Sequence, residues 1–354
     1  MTQIATGRFS YPQAWNGTDL DGLDSLARTL GPAQVAALEE RLGEVKHRGL
    51  ALTDIDRDDF RHPELDGDLA DILRELIHGR GIVVLRGLPA ELYDADDMAM
   101  IYWGIGTHFG AALSQSALGD VLGHVRDLTK PGEEEEARGY TSARELRLHT
   151  DLGQLACLLC YRPAASGGVS VVVSALAIHN QIAAEHPEHL PILYRGFRYH
   201  RRGEQAWDAE PVTPHRVPVF SQVDGNTSVF YVREILQNAA TERGEALSAD
   251  EVAALDCFDA CAREQSIRFS LQQGDLMLMN NRKVLHARSK FVNGDGADQQ
   301  RHLMRLWLDL WDAPSEVREL QIYENAGGRG GIDPQTGRER AGAKYRTMDG
   351  RRSA

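Results

Sequence analysis

Apolar residues recur at helical spacing over residues 33–48 (Ala33, Val35, Ala36, Leu38, Leu42, Val45) and over 66–78 (Leu69, Ile72, Leu73, Leu76, Ile77). This predicts two helices with one apolar face each. Gly79-Arg80-Gly81 stops the second. Ile82-Val83-Val84-Leu85 then reads as a short buried strand closed by Gly87-Leu88-Pro89. A third helix, rich in Met and Ala, is expected over 94–104, and a strand over 121–128. Residues 129–147 have another texture, with Pro131, Gly132, the glutamates Glu133 to Glu136, Gly139 and Thr141-Ser142. They read as a mobile loop whose glutamates are solvated.

From Leu148 the pattern turns to strands. Runs at 155–161 and 169–174 are separated by Pro163 and Gly167-Gly168. A helix is expected at 175–193. Further strands are expected at 197–200, 217–222, 228–232, 267–270, 276–279, 284–287 and 303–310. Another helix covers 248–264, where Ser248 with Glu251 three residues on forms a capping box. Residues 1–20 are polar and read as loose. The tail beyond Glu319 carries Gly327, Gly328, Gly330 and Gly331 among charges and reads as irregular. Many short strands with helices before and between them predict an α+β chain, a β sandwich or jelly roll buttressed by helices.

Composition narrows the function classes. The chain has 354 residues, 42% of them hydrophobic, and a net charge of -13. It is too apolar to be disordered. The length alone suggests about two domains, a prior that a single large β core can override. The negative balance argues against a nucleic-acid or membrane-surface partner. Cys157 and Cys160 lie in an apolar strand and Cys257 and Cys261 in a helix; the spacings do not match, so reduced core thiols are expected rather than a zinc site or disulfide framework. The N-terminus has no apolar signal core, and the expected location is the cytoplasm. The sequence leaves a homo-oligomer open.

Two segments carry candidate chemistry. One is His149-Thr150-Asp151, just before the strand-rich part; the other runs from Gly274-Asp275 through Asn280-Asn281 to His286, and on to Arg301 and Arg305. On an extended chain, His149 and Asp151 share a face, so an imidazole nitrogen and a carboxylate oxygen can bind one ion. His286, from another strand, would complete two histidines and one carboxylate, the facial set of non-haem Fe(II) oxygenases with open positions for co-substrate and O₂. Arg301, at the start of an apolar strand, could hold a distal carboxylate through two parallel hydrogen bonds.

With these residues the chain resembles the taurine-dioxygenase-like (TauD/TfdA) family of Fe(II)- and 2-oxoglutarate-dependent dioxygenases. The matching pieces are His149-Thr150-Asp151, Ser166-Gly167-Gly168-Val169-Ser170, Gly274-Asp275 with Asn280-Asn281, His286, and Arg301 to Arg305, within residues 80–312. The resemblance implies a double-stranded β-helix, a distorted jelly roll. It implies that His149, Asp151 and His286 bind Fe(II), and that Arg301 and the Ser170 hydroxyl hold the distal carboxylate of 2-oxoglutarate. Ser170 stands where threonine is commoner. Arg305 would face the substrate or the co-substrate. The implied reaction turns 2-oxoglutarate and O₂ into succinate and CO₂, with hydroxylation, desaturation or ring closure of a small molecule such as an amino-acid derivative or a natural-product intermediate. The carboxylate of Asp151 points away from halogenation.

The implied organisation is one catalytic domain: a helical cover at 1–80, a core with insertions at 80–312 and an irregular tail at 313–354. Candidate substrate contacts are Gln115, Tyr140 and Thr141 in the loop that could close as a lid, and Arg201. Gln115 stands where a taurine enzyme has a basic residue, so a sulfonate substrate is not supported. Two other readings stay open on the residues alone: a metal-dependent jelly-roll hydrolase, which would leave Arg301 without a role, and a ligand-binding jelly roll without catalysis.

Overall fold

A computed structural model describes residues 4, 5, 7–129, 141–323 and 330–335. The first elements are β1 (Ala27–Thr29), α1 (Pro32–His47), α2 (Pro63–His78), β2 (Ile82–Arg86), α3 (Ala95–Thr107), β3 (Gly110–Ala112) and β4 (Gly123–Val125). Then follow β5 (Leu146–His149), β6 (Leu155–Arg162), β7 (Ser166–Gly167), β8 (Ser170–Ser174), α4 (Ala175–Glu185), α5 (Leu190–Arg195), β9 (Phe220–Val223) and β10 (Asn226–Val229). The last are α6 (Arg233–Glu242), α7 (Ala249–Gln265), β11 (Ile267–Phe269), β12 (Leu276–Asn280), β13 (Val284–Arg288), β14 (Phe291–Val292) and β15 (His302–Leu310).

Two sheets form the core. The larger has the order β1-β2-β12-β6-β15-β3, with β4 also paired to β15; the smaller has the order β11-β8-β13-β5. The chain crosses from one sheet to the other at the turn between β5 and β6 and again between β12 and β13. Alternation along the strands sorts the side chains into three buried layers. Ala156, Cys160, Val172, Phe269, Met277, Met279, Leu303 and Trp307 fill the space between the sheets. Leu276, Leu278, Met304, Leu306 and Leu308 face the other way, onto α1 to α3. Val173 and Leu285 leave the small sheet on its outer side, where they meet Ile178, Leu193 and Phe258 of α4, α5 and α7. This is the double-stranded β-helix with helices on both outer faces.

Several expectations need correcting. The helix expected over 175–193 is broken, because Pro187 has no N–H to donate and disfavours helical backbone at His186. The strands at 197–200 and 217–222 contract to the single bridges Phe197↔Val217 and His200↔Val212, and regular pairing begins only at Phe220. After Val229 the chain bonds irregularly, Phe230 N to Val219 O and Tyr231 N to the Thr150 hydroxyl, so the third of those strands ends early. The strand at 121–128 is only three residues long, and α6 follows where no helix was expected. Residues 1–20 are not all loose. Trp15 is fully buried, and its indole N–H donates to Arg80 O at 3.0 Å. In the C-terminal segment, Leu320, Ile322, Tyr323 and Ile332 are buried against the outer layer of the small sheet.

Candidate metal and co-substrate site

The pocket lies between the two sheets. Leu146, His149, Asp151, Ser170, His286, Arg288, Arg301 and Arg305 line it, with Val125, Leu158, Met277 and Leu303 as its apolar wall. On β13, Val284, His286 and Arg288 alternate inward. On β15, Arg301, just before the strand, and Leu303, Arg305 and Trp307 do the same.

His149 reaches the pocket through an irregularity. His149 pairs with His286, but Leu146, three residues back, pairs with Arg288, two residues on. The extra residue in β5 is a β-bulge, which resets the alternation. Leu148 packs into the outer layer, while Leu146 and His149 both face the pocket. The bulge also leaves the Arg147 carbonyl in place to accept a hydrogen bond from His149 Nδ1 at 2.8 Å. That bond fixes the ring and leaves the Nε2 lone pair toward Asp151.

The two imidazoles and the carboxylate converge. His149 Nε2 lies 4.0 Å from Asp151 Oδ1 and His286 Nε2 lies 3.7 Å from Oδ2. One donor atom from each residue can be chosen within 4.8 Å of the others. Asp151 Oδ2 and His286 Nδ1 are buried without a hydrogen-bond partner. An orphaned carboxylate oxygen among two imidazoles is the arrangement a divalent ion would satisfy, so these residues fit an iron. Burial opposes the charge on Asp151, but Arg305, His286 and His149 outweigh it and hold the carboxyl below its usual range. Burial first, then His149, pushes His286 down to about 3. A neutral histidine and an ionised aspartate are the ligand forms.

The turn that carries Asp151 is held by Asn281, at the crossing from β12 to β13. Its Oδ1 accepts from Asp151 N at 3.3 Å, its Nδ2 donates to Gly153 O at 2.8 Å, and its own N–H donates to Gln154 O at 2.8 Å. The sequence pattern marked Asn280-Asn281 as a motif without giving it this work. Asn280 instead caps α2, donating to Leu76 O at 3.0 Å.

Around these candidate ligands stand the arginines. Arg301 is buried, its guanidinium carbon 4.9 Å from the Phe291 ring centroid, and its Nη1 has no partner. Burial pushes it down to about 10, still charged at neutral pH. Gly168 lies close behind it. With φ at +66°, any Cβ at this position would be strained, and it would stand 3.4 Å from Arg301 Nε. Ser170 pairs in register with Arg288 and faces the same pocket. Arg305 packs its guanidinium over Trp307 at 4.4 Å, donates from Nε to Gln115 Oε1 at 2.8 Å and approaches Asp151 Oδ1 at 3.5 Å.

The remaining candidates lie elsewhere. Gln115 is buried, and its amide donates to Val121 O and Arg305 O at 3.1 and 2.8 Å while accepting from Arg305. It thus holds Arg305 from behind. Thr141 is buried beside Leu128 and Thr129, its carbonyl accepting from both. Arg201 is buried away from the pocket, bonded to Ile322 O and Glu210 O. Tyr140 and the four glutamates lie outside the described residues. The four cysteines are free thiols; Cys157, Cys160 and Cys261 are buried and Cys257 is half-buried.

A double-stranded β-helix that gathers two histidines, an aspartate and buried arginines in one pocket defines the class: a non-haem iron oxygenase that uses Fe(II) and 2-oxoglutarate. The chain belongs to the taurine catabolism dioxygenase TauD, TfdA family, whose pattern matches residues 46–307. It is similar to FR-33289 synthase of Streptomyces rubellomurinus, 28% identical over 88% of this chain and 93% of the relative. It is also similar to a taurine hydroxylase-like protein of Stachybotrys chartarum, 28% identical over 85% and 79%. Among solved structures, asparagine oxygenase in complex with Fe(II), 2S,3S-3-hydroxyasparagine and succinate shares the fold with a TM-score of 0.65 at 18% identity, covering 80% of this chain and 93% of that one. The non-heme iron oxygenase OrfP in complex with Fe and alpha-ketoglutaric acid does so with 0.60 at 14%, covering 80% and 94%. Among the described residues, no helix is long and apolar enough to cross a membrane.

Proposed function

We propose that this enzyme hydroxylates, desaturates or cyclises at an unactivated C–H of a small carboxylate-bearing molecule, an amino-acid derivative or a natural-product intermediate. The observation that carries this reading is one pocket in which the His149, Asp151 and His286 donors lie next to two buried guanidinium groups, Arg301 and Arg305. In this reading His149, Asp151 and His286 hold the iron. Arg301 takes the distal carboxylate of 2-oxoglutarate in its free Nη1 edge, helped by the Ser170 hydroxyl. Iron with 2-oxoglutarate supplies the O₂ activation that oxidises the C–H bond and leaves succinate and CO₂.

The protein's own residues bind and aim. Arg305, kept in place by Gln115 and by the Trp307 ring, faces the substrate and pairs with its carboxylate. The aliphatic wall of Val125, Leu158 and Leu303 keeps water from the reacting carbon. The relatives lend support, since one solved neighbour holds hydroxyasparagine and another, OrfP, holds (3S)-hydroxy-L-Arg. A cytoplasmic setting belongs to the proposal and is supported by the four free thiols. The test is succinate release with Fe(II), O₂ and 2-oxoglutarate, run against a panel of amino acids, their amides and carboxyl-blocked analogues. A substrate should raise succinate release and gain one oxygen or lose two hydrogens by mass. The blocked analogue should respond more weakly, and Arg305→Met should remove that difference. Succinate release that no compound raises, or equal response to blocked and free carboxyl forms, contradicts the reading.

A further inference from the structure

Arg288 lies in the same pocket as Arg301 and Arg305. It sits two residues after His286 on β13, faces inward, and pairs in register with Ser170. It is 6% exposed, and its Nε and Nη1 have no hydrogen-bond partner. Its guanidinium carbon lies 4.7 Å from the Phe291 ring centroid, and that of Arg301 lies 4.9 Å from the same centroid. Two buried cations therefore share one aromatic ring, and each keeps donors unused. Burying such donors is costly unless an anion completes them.

The other edge of Arg288 is occupied. Its Nη2 donates to Ser142 O at 2.8 Å and to Arg144 O. Between these, the Ala143 carbonyl accepts from Phe291 N at 3.1 Å. Three consecutive carbonyls of the segment leading into β5 and His149 are thus fastened to β13 and β14. The two guanidiniums of Arg288 and Arg301, held against the same Phe291 ring, repel each other. An anion between the two cations relieves that repulsion.

We propose that Arg288 is a second binding group for the anionic end of 2-oxoglutarate, and that through Ser142 and Arg144 it couples co-substrate binding to the order of the 141–147 segment. The proposal rests on the reading that Arg301 receives the distal carboxylate. With Arg288 in place, two guanidiniums and one hydroxyl surround that carboxylate, and a 2-oxo acid without it finds an uncompensated cation pair.

Anaerobic calorimetry on the Fe(II)-loaded protein tests it, comparing 2-oxoglutarate with 2-oxobutyrate, which lacks the distal carboxylate. Hydrogen exchange of the peptide covering 141–147 is followed in parallel. Arg288→Gln is expected to weaken 2-oxoglutarate about tenfold or more while changing 2-oxobutyrate less than about twofold. Protection of 141–147 by 2-oxoglutarate, expected in the wild type, should be lost. Arg288→Lys, with a point charge for the planar fork, should weaken 2-oxoglutarate by about threefold or more, which keeps the test available if the glutamine variant does not fold. Unchanged 2-oxoglutarate affinity, equal weakening of both acids, or a 141–147 peptide indifferent to 2-oxoglutarate in the wild type overturns the proposal. If the wild type itself does not prefer the dicarboxylate, or Arg301→Gln keeps that preference, the reading of Arg301 fails instead.

Discussion

Asn281 shows how much of the site rests on a residue without metal chemistry of its own. It bonds the backbone of Asp151, Gly153 and Gln154 at once. Asn281→Ala should leave the fold intact but release the turn, lowering Fe(II) affinity by about 10- to 100-fold and stability by roughly 1–3 kcal/mol. A metal-competition titration with parallel urea unfolding checks both, and unchanged metal affinity would count against the positioning role. The candidate iron site was legible in the sequence, because His149-Thr150-Asp151 with a later histidine is a pattern of residue types. Asn281, Arg288 and Trp307 were not legible as site residues. Their roles depend on which buried donors and acceptors end up satisfied, and no periodicity encodes that. Gln115 illustrates the converse, since its residue type suggested a substrate contact while its amide is engaged by Arg305 and Val121.

Secondary structure was most legible where apolar positions repeat over a long stretch and an end signal is present. The helix with Ser248 and Glu251 forms its capping box as expected, with Glu251 N donating to the Ser248 hydroxyl at 3.2 Å. The bulge in β5 was invisible, although it is what turns His149 inward. Gly274, in the loop before β12, has φ at +82°, and a Cβ there would meet Leu88 O at 2.2 Å. Gly274→Ala should destabilise the protein by roughly 1–3 kcal/mol from backbone strain alone, with more from the clash. A lowered urea midpoint with unchanged slope is the expected result. At the other end of the chain, Trp15 fills the edge of the layer between the sheets. Trp15→Ala should cost roughly 3–5 kcal/mol; a loose N-terminus would predict almost none.

Over the whole molecule, the negative net charge and the buried cations separate cleanly. Among the described residues most acids lie on the exterior, while Arg288, Arg301 and Arg305 are buried between the sheets in the pocket that Asp151 also lines. Buried and half-buried histidines give the fold its acid sensitivity. Burial first, and then Arg126 and His124, push His302 down to about 2; burial pushes His124 and His179 down to about 4. The unfolded chain takes these protons near its ordinary histidine value of about 6.5, and the folded chain does not. Stability is therefore full above that value and falls as pH drops toward 4, by roughly 1.4 kcal/mol per pH unit for each such histidine. Melting midpoints at about pH 7 and about pH 5 should differ more for the wild type than for His302→Phe; equal differences would show that His302 does not carry the effect.

The proposed iron centre consists of His149, Asp151 and His286 and takes 2-oxoglutarate as a ligand of its iron. Its most direct measurement is anaerobic titration of the protein with Fe(II) and then 2-oxoglutarate, followed by visible absorption. The wild type should develop a weak charge-transfer band that saturates at one iron per chain, and His149→Ala and His286→Ala should develop none while keeping their circular dichroism. A wild-type protein without the band, or a His149→Ala variant that retains it, would contradict the account.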